Sequence, residues 1–461
     1  MISLSGQNVL ISPDINIKND FSYYILTHPN GTTSLLRDKS FKLSYQTLYP
    51  DFEWSQEKSI EIPGKKWRII ESYESGNDIG IFFISKLETD YSINYSIFNA
   101  QAELLSEKFL FSGLSLSNDE GIKIKTSEDK NWTGIEFYNV NNEKQLLLYN
   151  RKQDSTYYTI NIEKVLDADH VVIREFEISN DGLVFVFGRL KEENSSKKKI
   201  QTVVSKIDLS GIKSTNQILA FDNVIFTNGV AKFDNQNKQL VIGGLYTEKI
   251  HQPPKGYVFN CLKQDLSIIS TVYTPFTTEL LDEWNGKGKK SILGSSELNT
   301  RSIVLKRDGG CLIFYENTKE LSRRPYFSSS DPTGAFPSRW FDYYFDDIIV
   351  ASFDKDGKLD WDRVLHKRQY SQDDEGLFSS FFVFRTSALL GIIFNDAISS
   401  EGTVSEYLLK PNGDHIRKSI LNTSYKNLNL RFQDAMELSA NSLLIPSENN
   451  GKLNLVKIVF E

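Results

Sequence analysis

The sequence predicts an all-β protein, and three observations support that class. Aromatic residues make up 12 % of the chain, with 21 Tyr and 30 Phe, and together with Ile and Val they suit the half-buried surface of a pleated sheet. Hairpin signals recur; the strongest is Asp356-Gly357, which joins the β-prone runs Ile348–Phe353 and Leu359–Val364. Helical periodicity is almost absent, and only Thr277–Trp284 is expected to form a short helix.

A repeating unit organises the predicted strands. Seven short, strongly apolar runs each follow a turn, precede a polar segment, and lie about 40 to 80 residues apart. They are IGIFFISKL (Ile79–Leu87), QLLLYN (Gln145–Asn150), LVFVFGRL (Leu183–Leu190), LVIGGLY (Leu240–Tyr246), CLIFYE (Cys311–Glu316), LGIIFND (Leu390–Asp396) and SLLIPS (Ser442–Ser447). A strand ending in a turn precedes the run and a hairpin follows it, so the unit is four antiparallel strands. Repeated around an axis, such a unit is the blade of a β-propeller.

We therefore predict one β-propeller domain over residues 1–461, with seven four-stranded blades. The last unit ends at Leu453–Phe460, a third strand without a fourth, while the first residues, NVLIS, supply a strand to spare. Pairing the amino- and carboxy-terminal strands in one blade would close the ring and cover its open edges. The alternative is eight blades, with a partly formed blade made from residues 20–48, where Asn30-Gly31 marks a hairpin.

Two insertions interrupt the pattern, at about residues 275–300 and 317–345. The second is long for a loop, and loops of that length in compact domains are usually functional or disordered. Its aromatic content argues against disorder, and Trp, Tyr and Arg dominate binding hot spots. The predicted partner-binding residues are Arg323, Arg324, Tyr326, Phe327, Arg339, Trp340, Phe341, Tyr343 and Tyr344. The alternative is that these rings cap the open end of the propeller or cover a blade edge.

Composition excludes several function classes. A net charge of −7 gives no basic footprint for nucleic acid, and no apolar run reaches the roughly 18 residues that a membrane helix needs. Cys261 and Cys311 are too few for a disulfide framework or a cysteine-rich zinc site. We expect two buried thiols, with a single disulfide as the alternative.

Metal and cofactor motifs are weak, and we predict neither a metal nor a cofactor. The five histidines are widely separated and there is no HExxH. Asp354, Asp356, Asp360 and Asp362 suggest calcium, but Lys358, Leu359 and Leu365 stand where an EF-hand-type loop needs an oxygen ligand, a glycine and a glutamate. A tight turn explains Asp356-Gly357. The segment GKGKKS (residues 286–291) lacks the spacing of a phosphate-binding loop.

No catalytic motif is evident, and we predict a non-enzymatic protein. There is no GxSxG nucleophile elbow. The alternative is a carbohydrate-active propeller, because some propellers hydrolyse glycosides with paired carboxylates in the central channel. The candidates are Asp342, Asp346, Asp347, Asp373, Asp374 and Glu375.

One region carries a family resemblance. The succession GGCLIFYE, an aromatic segment, YYFDDIIVASFDKDGKLDWDRVLHKRQ, DDEGLFSSF and an apolar strand ending in FND covers Gly309–Asp396. It resembles uncharacterised secreted β-propeller-like proteins of Bacteroidota. The resemblance implies export across the inner membrane and a propeller-like fold, but no activity. Members of that group are often accessory parts of outer-membrane machines, such as the plug subunit of the type IX secretion translocon.

Sequence and resemblance together predict an exported scaffold, in the periplasm or at the cell surface, that binds a protein partner such as an outer-membrane protein. No partner nucleic acid is expected, and the chain is not expected to span the membrane. Ile2–Gly6 could be the tail of a signal peptide, with the mature chain starting near Gln7, or part of an ordinary first strand.

Overall fold

The computed structural model describes residues 8–40, 42–87, 90–116, 121–153, 157–166, 171–190, 201–208, 213–219, 224–249, 252–285, 297–323, 340–386, 389–396, 398, 402–423 and 427–460. These residues form eight antiparallel sheets in chain order. The first strands of successive sheets contact each other, as expected when they line a common axis. The chain is an eight-bladed β-propeller, so the prediction of seven blades is wrong and the alternative of eight is correct.

Blades 1 to 4 each contain four strands, paired in the order of the chain. Blade 1 has β3 (Ser22–Thr27), β4 (Thr33–Asp38), β5 (Leu43–Leu48) and β6 (Lys58–Ile60); blade 2 has β7 (Lys65–Ser75), β8 (Asp78–Leu87), β9 (Asp90–Phe98) and β10 (Leu104–Leu114); blade 3 has β11 (Lys123–Thr126), β12 (Trp132–Tyr138), β13 (Lys144–Asn150) and β14 (Tyr157–Asn161); blade 4 has β15 (Val171–Ile178), β16 (Val184–Leu190), β17 (Gln201–Asp208) and β18 (Lys213–Leu219).

Blades 5 to 8 repeat the arrangement, with extra strands in the sixth and eighth. Blade 5 has β19 (Ile225–Asp234), β20 (Gln239–Thr247), β21 (Gly256–Lys263) and β22 (Ile268–Pro275); blade 6 has β23 (Leu298–Leu305), β24 (Cys311–Arg323), β25 (Trp340–Phe353), β26 (Leu359–Leu365) and β27 (Gln369–Gln372); blade 7 has β28 (Phe382–Arg385), β29 (Leu390–Asn395), β30 (Thr403–Leu409) and β31 (His415–Asn422); blade 8 has β32 (Met436–Ser439), β33 (Ser442–Asn449), β34 (Lys452–Val459), β1 (Asn8–Ile11) and β2 (Ile15–Asn16).

The extra blade is blade 1, which forms where the eight-blade alternative placed it, at residues 20–48, and which contains none of the seven apolar runs. Its second strand, β4, is buried at all six positions, like the apolar second strands elsewhere. Two of those positions are Arg37 and Asp38, only 4 % and 7 % exposed. Arg37 is accommodated because it forms ion pairs with Asp20 (3.3 Å) and Glu57. A buried charged residue normally needs such a partner, and a search for apolar runs cannot recognise it.

The hydrophobic core is divided among the interfaces between neighbouring blades. One cluster joins blades 5 and 6, for example, and includes Val241 and Phe259 on one side and Ile313 and Ile349 on the other. Second strands are therefore apolar on both faces, and all nine residues of β20 are buried. Fourth strands lie at the outer edge and are largely exposed, as in β22.

The ring closes as the sequence predicts. β1 pairs antiparallel with β34, so that the amino-terminal strand becomes the fourth, outermost strand of blade 8. Ser12 extends the junction, because its Oγ accepts a hydrogen bond from the backbone N–H of Leu455 (2.9 Å) and its carbonyl accepts one from Asn454 (2.9 Å).

In the described residues, two α-helices and one 3-10 helix (Phe432–Asp434) interrupt the strands. α1 (Ile162–Val165) is one turn, with Asn161 as its N-cap. α2 (Thr278–Asn285) confirms the predicted helix; the Thr277 hydroxyl accepts a hydrogen bond from the N–H of Leu280 (3.1 Å). Leu280 packs into the cluster between blades 5 and 6.

The strand order defines two faces of the ring. Strands within a blade alternate in direction, so the segments joining second to third strands emerge at the same face as the segments leading into the next first strand. We call this the upper face. The described parts of the two predicted insertions, residues 275–285 and 297–300 and residues 317–323 and 340–345, belong to connections of these two kinds at blade 6.

Candidate partner-binding site

The second predicted insertion is, in its described parts, a continuation of two strands. β24 and β25 have 13 and 14 residues, longer than their counterparts in the other blades. Thr318–Arg323 pairs with Trp340–Phe345, and β27 pairs with Asp342–Phe345 on the other side. We call this three-stranded extension the arm; it consists of residues 318–323, 340–345 and 369–372.

Side chains alternate between the two faces of the arm. Even-numbered residues of β25 share one face with their registered partners on β24 and β27. This outer face comprises Lys319, Leu321, Arg323, Trp340, Asp342, Tyr344, Tyr370 and Gln372. Leu321 is 37 % and Tyr370 is 48 % exposed. The outer face therefore presents apolar and aromatic surface to solvent.

A polar cluster fixes the rings of the outer face. Asp342 is only 1 % exposed, forms an ion pair with Arg323, and accepts a hydrogen bond from the Tyr370 hydroxyl (2.8 Å). Arg323 also donates to the Tyr344 hydroxyl (3.2 Å), and the ring centroids of Tyr344 and Tyr370 are 5.2 Å apart. The two tyrosines are thus held in place before any partner arrives, which lowers the entropic cost of binding.

The opposite face of the arm is covered by the chain that follows β27. The Phe345 ring lies so close to Gly376 that an added Cβ would come within 2.5 Å of it. The backbone N–H of Phe341 donates to Asp373 Oδ1 (2.8 Å), and the N–H of Asp373 donates back to the Phe341 carbonyl (3.0 Å). In the described residues, this following chain therefore covers the opposite face at Phe341 and Phe345.

A buried ion pair holds the base of the arm. Glu316 Oε1 lies 2.7 Å from Lys367 Nζ, and neither side chain has solvent exposure. Glu316 Oε2 also lies 3.1 Å from Arg301 Nε and accepts a hydrogen bond from the Ser380 hydroxyl (2.7 Å). Burial lowers the pKa of Lys367, although the charge of Glu316 opposes that shift.

The arm is connected to a cavity at the upper face, lined by residues of blades 8, 1 and 2 and the segments next to them. Gln433, in the segment that leads into blade 8, donates hydrogen bonds to the carbonyls of Gly376 (3.0 Å) and Ser379 (3.3 Å). The neighbouring Arg431 and Asp434 line a cavity of about 570 Å³, together with residues of the inner strands β3, β7 and β32. This volume is in the range of small-ligand sites.

The charges of the cavity are dominated by carboxylates. Arg431 is the one cation among the lining side chains, and it is bound to Glu448 (2.8 Å), Asp434 (2.5 Å) and the Tyr23 hydroxyl (2.8 Å). Burial raises the pKa of Tyr23. Glu71, on the inner strand of blade 2, accepts a hydrogen bond from the N–H of Ser72 (3.0 Å), and burial raises its pKa.

The structure brings together part of the predicted binding set. Arg323, Trp340 and Tyr344 share the outer face of the arm, whereas Phe341 and Tyr343 belong to the opposite face. Arg324, Tyr326, Phe327 and Arg339 lie outside the described residues.

The six candidate carboxylates lie in blade 6 and the chain after it rather than on inner strands. Asp342 pairs with Arg323 within the arm, and Asp347 contacts His366 (3.2 Å). Asp374 accepts from the Ser371 hydroxyl (2.6 Å). Burial raises the pKa of Asp346.

The aspartates that suggested calcium serve separate purposes. Asp354 Oδ1 accepts the N–H groups of Asp356 (2.9 Å) and Lys358 (2.8 Å), and Gly357 has φ +83°, which completes the predicted tight turn. Asp362 accepts hydrogen bonds from Tyr257 and Thr277 instead. Within the described residues, no group of three or more His, Cys, Asp and Glu side chains could hold a metal ion.

The other sequence candidates are readily placed. Cys261 and Cys311 are buried free thiols, and burial raises the pKa of Cys261 to about 12. Residues 286–291, with their lysines, lie outside the described residues. No helix in the described part of the chain is long and apolar enough to cross a bilayer.

Sequence reasoning missed Tyr370 and the cavity. Tyr370 follows a polar turn, and its place beside Tyr344 depends on the short strand β27. Among the cavity side chains, Tyr23 and Glu71 belong to different blades, and Arg431 lies 360 residues beyond Glu71 in the sequence. No local pattern could have associated them.

The fold and topology define the class of protein, an eight-bladed β-propeller closed by its terminal strands. No protein-family model and no curated protein matches the chain in sequence. Among solved structures, the β-propeller domain of the Trilobed protease from Pyrococcus furiosus is 11 % identical with a TM-score of 0.39, over 86 % of this chain and 94 % of that one.

Two further structures show the same level of likeness. TolB from Acinetobacter baumannii is 10 % identical, with a TM-score of 0.30, over 86 % of this chain and 78 % of that one. The acylaminoacyl peptidase from Pyrococcus horikoshii is 10 % identical, with a TM-score of 0.32, over 83 % of this chain. This chain spans 58 % of that peptidase.

Proposed function

We propose that this protein is a non-enzymatic scaffold that binds a protein partner through the outer face of the arm. The observation that carries the proposal is the fixed pair Tyr344 and Tyr370 beside the exposed Leu321, on an extension that the blade does not need. Tyrosine and arginine offer a large contact area at modest entropic cost and are the residue types that dominate interface energetics.

The manner of attachment supports a rigid recognition element. The Glu316–Lys367 pair is fully buried at the base of the arm, and Gln369 of β27 donates a hydrogen bond to the carbonyl of Asn395 in blade 7 (2.7 Å). A binding surface held by two blades keeps its shape when the partner is absent, which favours specific association.

The six candidate carboxylates do not favour the carbohydrate alternative. A glycosidase of the paired-carboxylate kind needs one acid and one base on either side of the substrate. Asp342 is engaged by Arg323 in the arm, and in the cavity at the upper face Asp434 and Glu448 are both engaged by Arg431.

The decisive test is a single substitution with a matched control. Tyr370→Ala is expected to weaken partner binding by about 2 kcal/mol or more, roughly 30-fold, because it removes an anchor ring. Tyr273→Ala is the control: Tyr273 is 44 % exposed, lies on the outer strand of blade 5, and also packs on another tyrosine, Tyr246. Equal retention of the partner by both variants in co-purification from native membranes would contradict the proposal.

A deletion tests the whole arm. Thr318 and Phe345 are registered partners, so the chain between them can be replaced by Asn-Gly, which closes a tight hairpin. We expect the shortened protein to keep its far-ultraviolet circular dichroism and to lose the partner. Retention of the partner would place the contact elsewhere on the molecule.

The resemblance to secreted propeller-like proteins extends the proposal to a location. We propose an exported protein that works in the periplasm or at the cell surface, as a subunit of an outer-membrane or secretion complex such as the type IX translocon. Mass spectrometry of proteins captured from native membranes by the intact protein, but not by the Tyr370→Ala variant, would identify the partner. Capture of cytoplasmic proteins alone would reject the location.

A further inference from the structure

The cavity at the upper face, lined by residues of blades 8, 1 and 2 and the segments next to them, has a composition that the scaffold function does not require. Four carboxylates, from Asp20, Glu71, Asp434 and Glu448, line it with a single guanidinium, from Arg431. Asp20 is paired outside the cavity with Arg37 (3.3 Å). Asp434 and Glu448 are paired with Arg431.

These pairings leave the cavity unsuited to an anion. The Nη atoms of Arg431 already contact Asp434, Glu448 and the Tyr23 hydroxyl. Its Nε is buried and has no acceptor among the described residues, but it is enclosed and out of reach of a ligand. An anionic ligand would therefore meet carboxylates without a cation left to receive it.

Glu71 is the exception among the four carboxylates. It lies on the inner strand β7, and its one recorded hydrogen bond is with the backbone N–H of Ser72. In the described part of the chain, no lysine or arginine forms an ion pair with it, and no charged neighbour contributes to its pKa shift. A partly buried carboxylate without a counter-charge is costly to the folded protein, and a bound cation would remove that cost.

A second unmatched polar group lies beside Glu71. The Ser72 side chain also lines the cavity and is 6 % exposed, and its hydroxyl has no hydrogen-bond partner in the described residues. The oxygen is covered in its present rotamer, and rotation about the Cα–Cβ bond would change where it points. Buried hydroxyls are normally satisfied, and this one would reach a ligand in the cavity only after such a rotation.

The remaining wall is apolar. Phe21, Tyr24 and Met436 line the same cavity, and Phe21 stands at its mouth with 76 % of its surface exposed. Aromatic rings attract cations through their π faces, and thioether and ring surfaces pack well on a short aliphatic chain. The cavity thus combines one unmatched negative charge with surface for a carbon stem.

We propose that the cavity binds a primary ammonium or guanidinium group on a short aliphatic stem, with Glu71 as its counter-charge and Phe21 over the stem. The ligand is either a lysine or arginine side chain of a bound protein or a free polyamine, since both carry this chemistry. The site is separate from the arm and does not depend on the function proposed for it.

Calorimetric titration with defined amines tests the site directly. The probes are Nα-acetyl-lysine-N-methylamide, its arginine analogue and spermidine, with the Nε-acetylated lysine derivative as the uncharged control. We expect the charged probes to bind and the uncharged one not to bind. Glu71→Gln should weaken binding by about 10- to 100-fold, as expected for loss of a charge-assisted contact. Glu107→Gln should change nothing, because Glu107 is an exposed carboxylate on the outer strand of the same blade.

Several results would overturn the proposal. They are absence of saturable binding of any charged probe, equal binding of the acetylated probe, and equal affinity of the Glu71→Gln and Glu107→Gln variants. Phe21→Ala provides a second variant if Glu71→Gln does not fold, since an exposed ring is not needed for stability. It should weaken binding about 2- to 5-fold, and an unchanged affinity would count against the site.

The same titrations distinguish the two sources of the ligand. They also test the cavity independently of the function proposed for the arm. Tighter binding of the lysine or arginine derivative than of spermidine identifies a protein side chain as the ligand, and the reverse order identifies a free amine. The protein with the shortened arm should bind the probes as the intact protein does. Failure of the arm as a partner site would then leave this result unaffected.

Discussion

At the scale of single residues, two buried charges explain why blade 1 is hard to recognise in the sequence and how the base of the arm is held. Arg37 and Lys367 are nearly or fully buried, and each is stabilised by carboxylates from other parts of the chain. Neither stands in an apolar run, so periodicity could not show that either is internal. The apolar second strands, in contrast, could be recognised because their residues are of types that are usually buried.

Loss of Glu316 should be among the most damaging single changes in blade 6. Glu316→Ala leaves Lys367 and Arg301 without their carboxylate, and breaking a buried pair typically costs about 3–5 kcal/mol. The control is Glu297→Ala, whose partner Lys319 (2.7 Å) is well exposed; such surface pairs contribute about 0.2–1 kcal/mol. Urea unfolding followed by tryptophan fluorescence measures both. Equal midpoints for the two variants would show that the buried pair contributes little.

At the scale of elements, the sequence identified strands and α2 better than it identified strand length. The pattern placed an insertion at residues 317–345, but β24 runs to Arg323 and β25 begins at Trp340. Polar residues such as Glu320 and Ser322 extend β24 because backbone pairing with β25, rather than burial, holds them in place. Such an extension carries no alternation of apolar residues for a sequence search to find.

The contact of α2 with blade 6 should make stability depend on pH. Asp362 is 4 % exposed and accepts hydrogen bonds from Thr277 (2.8 Å) and Tyr257 (3.1 Å). Burial raises its pKa above the ordinary 3.8. Between these two pKa values the folded state binds more protons than the unfolded state, so this residue's contribution to stability is present at low pH and is lost as pH rises through the folded pKa.

Replacing this carboxylate by an amide tests the prediction. Asp362→Asn should remove that part of the pH dependence. The melting temperature of the variant, measured relative to that of the wild type, should therefore increase as the pH rises from about 4 toward neutrality. Asp360→Asn, on the same strand but 40 % exposed in its side chain, serves as the control. A constant difference between wild type and Asp362→Asn at all pH values would refute the assignment.

At the scale of the whole molecule, blade number was the hardest property to predict. Repeat counting found seven units because six second strands are apolar and blade 3 supplies a seventh apolar run in its third strand, β13, while β4 reads as polar. The closure of the ring was easier, because an incomplete last unit and a spare first strand are both visible in the sequence. The cavity was out of reach, since its side chains meet only once the ring has formed.

Removal of the amino-terminal strand should open the ring. A protein lacking residues 1–13 loses β1 and leaves the edge of β34, from Val456 to Val459, without its partner. Unpaired edges promote association between molecules, so we expect a lower melting temperature and a larger species in size-exclusion chromatography. A protein lacking residues 1–7 keeps β1 and is the control. Addition of a peptide spanning residues 7–17 during refolding should restore the monomer. If the protein lacking residues 1–13 kept the melting temperature and the size of the control, β1 would be dispensable.

The same junction imposes an order on biosynthesis. Asn8–Ile11 leaves the ribosome long before its partner in β34, which lies more than 440 residues further along the chain. Throughout translation the early segment has to remain unengaged, and the seven complete blades form beside a gap. A chaperone or export factor that shields this short segment would therefore act on the nascent chain before β34 has been synthesised.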